Sequence, residues 1–238
     1  MISNNLSIYN DYATEWWDKK SARFRSLHRI TPFRLQLIQE FAGPVNGKKI
    51  ADLGCGGGLL AIPLLDRGAD VTGVDISAES IAVAREVAGG RGTFNVGDIC
   101  DLPLPSGSFD LVLLMDVMEH IESADKVLQE ASRVLSNGGK LIIGTINRTW
   151  LAWFWALVVA ESIGLVPYGT HSYDLFRSPD ELVKLGNAAG LTSMLIQGER
   201  AKIWSTIRHW AIDLEKGPSS AVAYSMVFFK QEHGDCAG

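Results

Sequence analysis

The sequence predicts an α/β fold, a doubly wound parallel sheet with helices on both of its faces. Two observations predict it. A strand-like segment at residues 49–53 breaks into a glycine-rich loop at residues 54–58 and resumes as an apolar helix near Leu59. A second short apolar segment, at residues 70–75, ends in Asp75. Because further strand and helix patterns alternate after it, we expect parallel strands whose ligand lies at their carboxyl ends.

Length and composition set broad limits on the class of protein. The 238 residues suit one domain, residues 1–238, that is large enough to bury a full core. The net charge of −5 gives no overall basic field, which argues against a nucleic-acid partner. Cys55, Cys100 and Cys236 form neither a zinc-type pair nor a disulfide framework. Polar residues follow Met1 directly, so we expect a cytoplasmic protein without a secretion signal.

Residues 1–47 precede the first core strand, and their apolar residues recur at helical spacing. One pattern contains Tyr9, Tyr12 and Trp16, and a second runs from residue 32 to residue 41 and stops at Gly43. We therefore predict that residues 1–47 form a helical cap over the ligand cleft.

The glycine-rich loop follows an acid and reads Asp52-Leu53-Gly54-Cys55-Gly56-Gly57-Gly58. Glycine tolerates positive φ and lacks a Cβ, so such a loop lets the backbone approach a ligand closely, although an ordinary strand-to-helix turn would also explain it. Asp75 lies about 20 residues further on, where a carboxylate accepts hydrogen bonds from a ribose diol. Asp52 would repel a pyrophosphate, whereas it suits a cofactor that carries an ammonium and a sulfonium.

The rest of the core continues the alternation. Predicted helices cover residues 59–67, residues 77–88 with Ser77 as N-cap, and residues 123–135 before a stop at the glycines that follow. Predicted strands cover residues 93–96, 109–115 and 140–145. Towards the end of the chain we predict a capped helix from Ser178, a sixth strand at residues 191–197 and a seventh at residues 221–229. Residues 203–210 are predicted to form one more helix or a lid.

An inserted segment, residues 147–176, follows the fifth strand and is predicted to carry an apolar helix. Trp150, Trp153 and Trp155 occur close together in it, and Glu161 interrupts the apolar run, which argues against a transmembrane helix. Tryptophan favours the boundary between lipid headgroups and hydrocarbon. The segment is therefore expected to contact a membrane surface or to cover a greasy substrate, with a plain buried helix as the alternative.

At six short motifs the chain resembles the ubiquinone-biosynthesis O-methyltransferases, a branch of the class I methyltransferases that use S-adenosylmethionine. The resemblance covers most of residues 8–200 and ends near Gly198. Its motifs are Trp16-Trp17-Asp18, Leu27-His28-Arg29-Ile30, the glycine-rich loop, Glu119-His120, Thr145-Ile146-Asn147-Arg148 and Val166-Pro167-Tyr168-Gly169-Thr170-His171. It implies a Rossmann-like, seven-stranded sheet and methylation of a catechol or hydroxyquinol hydroxyl on a polyprenylated ring.

The resemblance and the loop together predict the residues that bind S-adenosylmethionine. Asp75 is expected on the ribose hydroxyls, with Asp98 and Ile99 around the adenine. The full predicted set is Arg34, Asp52, Gly54, Cys55, Gly56, Gly58, Asp75, Ile76, Asp98, Ile99 and Met115.

Methyl transfer to a phenol also requires that the acceptor be ionised, because a phenol with a pKa near 10 is mostly protonated at about pH 7. The resemblance puts His28 and His171 on the acceptor side, and His120 is a third candidate. A magnesium ion held by Asp116, Glu119 and His120 is the other hypothesis, since an i, i+3, i+4 spacing would bring these side chains together on a helical turn. The alternative is that Asp116 and His120 only line the cleft.

Two further functions remain open from the sequence. The chain could methylate an unrelated small phenolic metabolite, or it could bind the cofactor as a non-catalytic scaffold subunit. The expected partners are a small hydrophobic phenolic substrate and the inner face of the cytoplasmic membrane, where the protein would be peripheral. A homodimer or a complex with other biosynthetic enzymes also remains open.

Overall fold

The structure, a computed structural model, describes residues 7–167 and 169–231, apart from the side chain of Leu157. Its strands form one mixed sheet. They are β1 (Lys49–Leu53), β2 (Asp70–Asp75), β3 (Thr93–Val96), β4 (Phe109–Met115), β5 (Leu135–Ile146), β6 (Leu191–Ala201), β7 (Leu214–Lys216) and β8 (Ala223–Lys230). Their order in the sheet is β3-β2-β1-β4-β5-β8-β6-β7. The first five strands pair in parallel, and β8, β6 and β7 pair antiparallel.

Eight α-helices accompany these strands in the described part of the chain. They are α1 (Ser7–Asp11), α2 (Arg25–Ala42), α3 (Ala61–Asp66), α4 (Ala78–Ala88), α5 (Ala124–Val134), α6 (Trp150–Trp153), α7 (Pro179–Ala188) and α8 (Ile203–His209). Short 3₁₀ turns occupy Ala13–Glu15, Met118–His120 and Tyr173–Leu175. The α/β fold with a Rossmann-like parallel half is therefore as predicted.

The strand count differs from the prediction, because the sheet has eight strands instead of seven. The strand predicted at residues 191–197 continues to Ala201, and its end pairs with β7 through Glu199–Lys216, Arg200–Glu215 and Ala201–Leu214. A strand of three residues is too short to show a period of two in the sequence, so only the pairing reveals it.

The helix predicted at residues 123–135 and the strand predicted at residues 140–145 meet earlier than expected. Helix α5 ends at Val134, and β5 begins at Leu135, so Asn137, Gly138 and Gly139 belong to the strand. Glycines of this kind commonly end a helix. Here the chain instead turns directly into the sheet, with Leu135 paired to Phe109 across a register shift.

Apolar side chains fill both faces of the sheet. Ile50, Leu111 and Ile142 point to the face covered by α2, α3 and α4. Their strand neighbours Ala51 and Val112 point to the opposite face, which α5 and α7 cover. Burial on both faces explains why the central strands are almost continuously apolar. It also leaves the carboxyl edge of the parallel strands as the place for polar groups.

The inserted segment forms a short, irregular helix. Thr149 caps it by accepting a hydrogen bond from the amide of Ala152 at 3.0 Å, and α6 then passes into a π-helical stretch, Phe154–Ala160. In residues 7–167 and 169–231 we find no helix that combines the length and apolar character needed to cross a bilayer.

We predict that Gly186→Ala will destabilise the protein although alanine is the better helix former. Gly186 lies in α7, where an added Cβ would approach Cε1 of the buried Phe228 to 2.5 Å. On helix propensity alone, this change would stabilise the protein by about 1 kcal/mol. Overpacking costs about 1–3 kcal/mol, so the free energy of unfolding in urea should fall.

The matched control for this change is Asn187→Ala, at an exposed position of the same helix. A more stable Gly186→Ala protein would show that α7 does not pack closely on β8.

Candidate active site

The glycine-rich loop joins β1 to α3 at the carboxyl edge of the sheet, in a conformation that requires glycine. Gly54, Gly56 and Gly58 have φ values of 76°, 50° and 84°. A Cβ on Gly54 would also lie 2.5 Å from Cγ2 of Val117. A side chain at these positions would strain the backbone or collide with a neighbouring residue, so the loop needs glycine.

Asp75, at the end of β2, holds this loop in place. One carboxylate oxygen accepts a hydrogen bond from the amide of Gly56 at 2.8 Å, and the other accepts one from the amide of Ser77 at 2.9 Å. Burial raises the pKa of Asp75 above its usual range. Each oxygen keeps a further lone pair, so the carboxylate can still accept a ribose hydroxyl.

Asp52 is buried beneath the loop, and its Oδ2 has no hydrogen-bond partner within the described residues. Burial, with a smaller contribution from the charge of Asp75, raises the pKa of Asp52 to about 7. A buried carboxylate oxygen without a partner is costly unless a ligand satisfies it. The pair formed by Asp52 and Asp75 therefore fits a cationic nucleoside.

The N-terminal segment lies directly on the loop. Cβ atoms on Gly56 and Gly57 would approach the indole of Trp16 to 2.5 and 2.3 Å. The indole N–H of Trp16 donates to Ser80 Oγ at 2.8 Å, and that of Trp17 donates to the carbonyl of Gly57 at 2.9 Å. Two tryptophan hydrogen bonds thus fasten the N-terminal segment over the loop.

Tyr9 extends this cover towards the acidic side of the cleft. Its ring stacks on Trp16 at 5.7 Å and meets the ring of His120 edge-on at 6.4 Å. Burial, followed by the negative charges of Glu119 and Asp75, raises the pKa of the Tyr9 hydroxyl. Tyr9 therefore stands between the loop and the histidines, a position that its helical spacing did not reveal.

The other predicted cofactor residues lie along the same edge. The side chain of Ile76 is 70% exposed directly after Asp75, as an apolar residue that covers a base would be. Ile99 is buried, and Oδ1 of the exposed Asp98 accepts the amide of Cys100 at 2.8 Å. Cys55 is buried, and burial raises the pKa of its thiol.

Arg34 is buried at this edge of the cleft, and its guanidinium pairs with two carboxylates. Its Nε and Nη2 donate to the two oxygens of Asp116 at 3.0 and 2.6 Å, and its Nη1 donates to Oε1 of Glu199 at 2.5 Å. Burial alone would lower the pKa of Arg34, but Asp116 and Glu199 raise it. The sulfur of Met115 lies close to the guanidinium of Arg34. A Cβ added to Gly144 would be 3.0 Å from each of these two groups. Arg34 thus holds the edge of the cleft in shape.

The same contact removes Asp116 from the predicted metal site. Asp116 has a left-handed φ of 59°, and the helical turn begins only at Met118, so the i, i+3, i+4 geometry does not form. The donor atoms that lie within 4.8 Å of one another belong to Glu119, His120 and His171. One carboxylate and two imidazoles are not the oxygen set that magnesium prefers.

Glu119 is buried and His120 is half-buried in this cluster, and both have shifted pKa values. Glu119 accepts the hydroxyl of Thr145 at 2.7 Å, and burial together with the charge of Asp116 raises its pKa to about 7. Burial, followed by His171, lowers the pKa of His120 to about 3. The two imidazoles stack at 5.3 Å. At neutral pH His120 is therefore uncharged.

Glu161, on the inserted segment, orients His171. Its Oε1 lies 3.2 Å from both the amide nitrogen and Nδ1 of His171, and its Oε2 accepts the amide of Gly169 at 2.9 Å. When Nδ1–H donates to this carboxylate, the lone pair of His171 is on Nε2. This is the arrangement of a histidine general base with an orienting acid.

His28 is not brought into this cluster. Its Nε2 lies 2.9 Å from the carbonyl of Trp16, and its ring meets Trp17 edge-on. Burial lowers its pKa. His28 therefore helps to hold the N-terminal segment in place through its contacts with Trp16 and Trp17.

Sequence reasoning missed three residues of the site, namely Tyr9, Thr145 and Glu161. Only Glu161 left a usable signal, since a carboxylate within an apolar run must be paired when the run is buried. The sequence interpretation used that charge only to argue against a membrane span.

Comparison with known proteins shows which family the sequence of this chain matches. Residues 51–143 match the family described as a methyltransferase domain. A ubiquinone biosynthesis O-methyltransferase of Idiomarina loihiensis is 36% identical over 200 residues, which are 81% of each chain. A protein of the same description from Acinetobacter baumannii strain AYE is 37% identical over 194 residues, covering 79% of this chain and 81% of the other.

Solved structures agree in fold at lower identity. A SAM-dependent methyltransferase from Thermotoga maritima superposes with a TM-score of 0.67 at 21% identity and covers 94% of this chain and 98% of its own. Magnesium protoporphyrin IX methyltransferase from Synechocystis PCC 6803, with bound SAH, gives a TM-score of 0.66 at 18% identity, with coverage of 94% and 97%.

We predict that Glu161→Ala will destabilise the folded protein. The change leaves the N–H groups of Gly169 and His171 without their acceptor in a buried site. Each unsatisfied buried donor costs about 1–3 kcal/mol, which urea unfolding will resolve. Glu161→Gln keeps an acceptor oxygen, so its free energy of unfolding should fall less than that of Glu161→Ala.

Ser162→Ala, at the exposed neighbouring position, is the control and should stay within about 0.5 kcal/mol of the parent. Equal midpoints for Glu161→Ala and Ser162→Ala would contradict this view of Glu161.

Proposed function

Because this chain belongs to the ubiquinone biosynthesis O-methyltransferases and is an S-adenosylmethionine-dependent methyltransferase, we propose that it methylates a hydroxyl of a hydrophobic catechol or hydroxyquinol. The acceptor in this proposal is a polyprenylated ubiquinone precursor. The observation that carries it is the pairing of His171 with Glu161, next to Glu119 and His120 and joined by Tyr9 to the cofactor loop.

The residues at the loop would hold the cofactor through its charges and its nucleoside. Asp75 would accept the ribose hydroxyls, and the unpartnered oxygen of Asp52 would accept the ammonium of the methionine part. Ile76 and Ile99 would cover the adenine, with Asp98 at its edge. The bound cofactor supplies a methyl group activated by its sulfonium.

The task left to the protein is to ionise and align the acceptor. In our proposal Nε2 of His171 takes the proton of the acceptor hydroxyl, and the carboxylate of Glu161 stabilises the imidazolium that results. The attacking oxygen, methyl carbon and sulfur must lie nearly in line, so positioning contributes much of the rate. The neutral ring of His120, stacked on His171, supports that imidazole without adding a charge.

No step of this proposal passes through magnesium. The carboxylate of Asp116 is engaged by Arg34, which leaves Glu119 as the one oxygen ligand in the cluster within the part of the chain that the structure describes. A hard cation such as Mg²⁺ is better held by several oxygens.

We also propose that the inserted segment docks on a membrane surface, where a polyprenylated acceptor resides. Six of its exposed side chains are large and apolar, which supports contact with lipid. They are Trp150, Trp153, Phe154, Trp155, Val158 and Ile163. Arg148, just before the helix of this segment, pairs with Glu181, so in this proposal apolar insertion carries the contact with lipid.

Cofactor affinity should fall as the pH is lowered through about 7, the pKa of Asp52. Because that pKa is raised, Asp52 is protonated below this pH and cannot then accept an ammonium charge. Calorimetry one unit to either side of this pKa should show a decline for the parent and a flat, weaker binding for Asp52→Asn, lower by about tenfold. A parent affinity that does not change with pH would contradict this role.

Turnover of a polyprenyl catechol should fall by about 10²-fold or more in His171→Ala, with unchanged cofactor affinity, because the acceptor loses its base. His28→Ala is the matched control and should stay within a few-fold of the parent, since His28 contacts the N-terminal segment. The same assay is run with a chelator and with added magnesium. Full activity of His171→Ala, or activity that requires magnesium, would contradict the proposed proton transfer.

The double change Trp153→Ser and Trp155→Ser should abolish most co-sedimentation with liposomes, while high salt should have little effect on the parent. Val87→Ser, which replaces an exposed apolar residue of α4, is the control. Equal sedimentation of all three proteins would leave the inserted segment without a role in docking.

A further inference from the structure

Helix α8 exposes a second apolar surface, separate in sequence from the inserted segment. The side chain of Trp204 is 85% exposed and that of Ile207 is 56% exposed, with Ile203 and Trp210 also exposed. Residues 203 and 207 lie one helical turn apart, so they share a side of the helix. Monomeric proteins rarely leave large apolar residues grouped in this way without a partner.

Trp210 directly after α8 stands where glycine or asparagine is usual. It adopts a left-handed conformation with φ of 49°, and its amide closes the helix on the carbonyl of Thr206. A bulky residue in this conformation costs free energy. The site therefore keeps an exposed tryptophan at a position where folding alone favours a smaller residue.

The charges around this surface are positive. Helix α8 carries Arg208 and His209 but no acid, and Lys202 precedes it. The nearby Asp213 is already paired, with Arg29 at 3.2 Å and Lys202 at 3.3 Å. Arg208 is exposed, and no ion pair engages it within the described residues. An apolar surface beside a free cation complements an anionic lipid bilayer.

The chain just after α8 and the inserted segment both form hydrogen bonds with the same residue of α2. The hydroxyl of Ser26 donates to the carbonyl of Leu165 at 2.7 Å and accepts the amide of Ile212 at 3.1 Å. Arg25 adds a hydrogen bond to the carbonyl of Gly164 at 2.7 Å. The part of the inserted segment that follows its helix and the chain after α8 therefore meet at one place on the protein.

We propose that α8 is a second membrane-contact element, which docks on anionic lipid together with the inserted segment. A second copy of this chain fits the surface less well, because pairing α8 with its own equivalent would bring together two helices that carry exposed Arg208 and no acid. This inference rests on the proposed function in one respect, namely that the inserted segment is the first membrane contact. Two separate contacts fix the orientation of a protein on a surface, whereas a single helix leaves rotation about its axis free.

The test measures binding of the full chain to phosphatidylglycerol-containing vesicles and to phosphatidylcholine vesicles. The double change Trp204→Ser and Ile207→Ser should weaken binding to the anionic vesicles by about tenfold, since two apolar side chains no longer insert. Arg208→Ala should weaken binding to anionic vesicles and leave binding to neutral ones unchanged. Val87→Ser is again the control, and turnover of a short-chain soluble catechol should be the same in all of these variants.

Four results would overturn the proposal. Unchanged vesicle binding in the Trp204/Ile207 variant, while the Trp153/Trp155 variant loses it, would leave the inserted segment as the contact and remove α8. A concentration-dependent dimer of the parent that this variant abolishes would assign the surface to a second copy. Loss of soluble-catechol turnover with vesicle binding retained would assign α8 to the substrate cleft. A parent that binds no vesicles also overturns it, and the soluble assay then tests methyl transfer independently.

Discussion

The buried guanidinium of Arg34 holds together the parts of the molecule that form the site. It joins α2 to Asp116 after β4 and to Glu199 in β6, whose carboxylate also accepts the hydroxyl of Ser225 in β8. Loss of one partner from such a buried pair leaves an unpaired charge and costs about 3–5 kcal/mol. The bidentate bond also maintains the left-handed turn at Asp116, from which the chain enters the turn that carries Glu119. The geometry of the histidine cluster therefore depends on an ion pair that touches neither imidazole.

Much of the parallel half of the fold could be predicted because its signals are local. The strand before the glycine loop, the carboxylate at the end of β2 and the cap at Ser77 all depend on residues close in sequence. The antiparallel edge was less predictable, since β7 is a strand only through its pairing with the end of β6. Likewise, Gly138 is a residue type that commonly ends a helix, and only the pairing of β4 with β5 shows that it belongs to a strand.

The site divides in the same way. The positions of Asp75 and His171 follow from motifs, whereas the partners that define their chemistry come from distant parts of the chain. Glu161 lies 10 residues before His171 on an irregular helix, and Tyr9 reaches His120 across more than 100 residues of sequence. The pairing of Asp116 with Arg34, 82 positions earlier, could not be predicted from the sequence either. Contacts of this kind leave no periodic pattern in a single sequence.

The cover that Trp16 places on the glycine loop has a kinetic consequence. If the proposed cofactor lies on the loop beneath Trp16, its release would require displacing an indole that is packed against the backbone and bonded to Ser80. Each catalytic cycle would then include opening and reclosing of the N-terminal segment, a motion of the kind that occurs in microseconds to milliseconds. The exchange of used for fresh cofactor, rather than the transfer of the methyl group, can thereby set the upper limit on kcat.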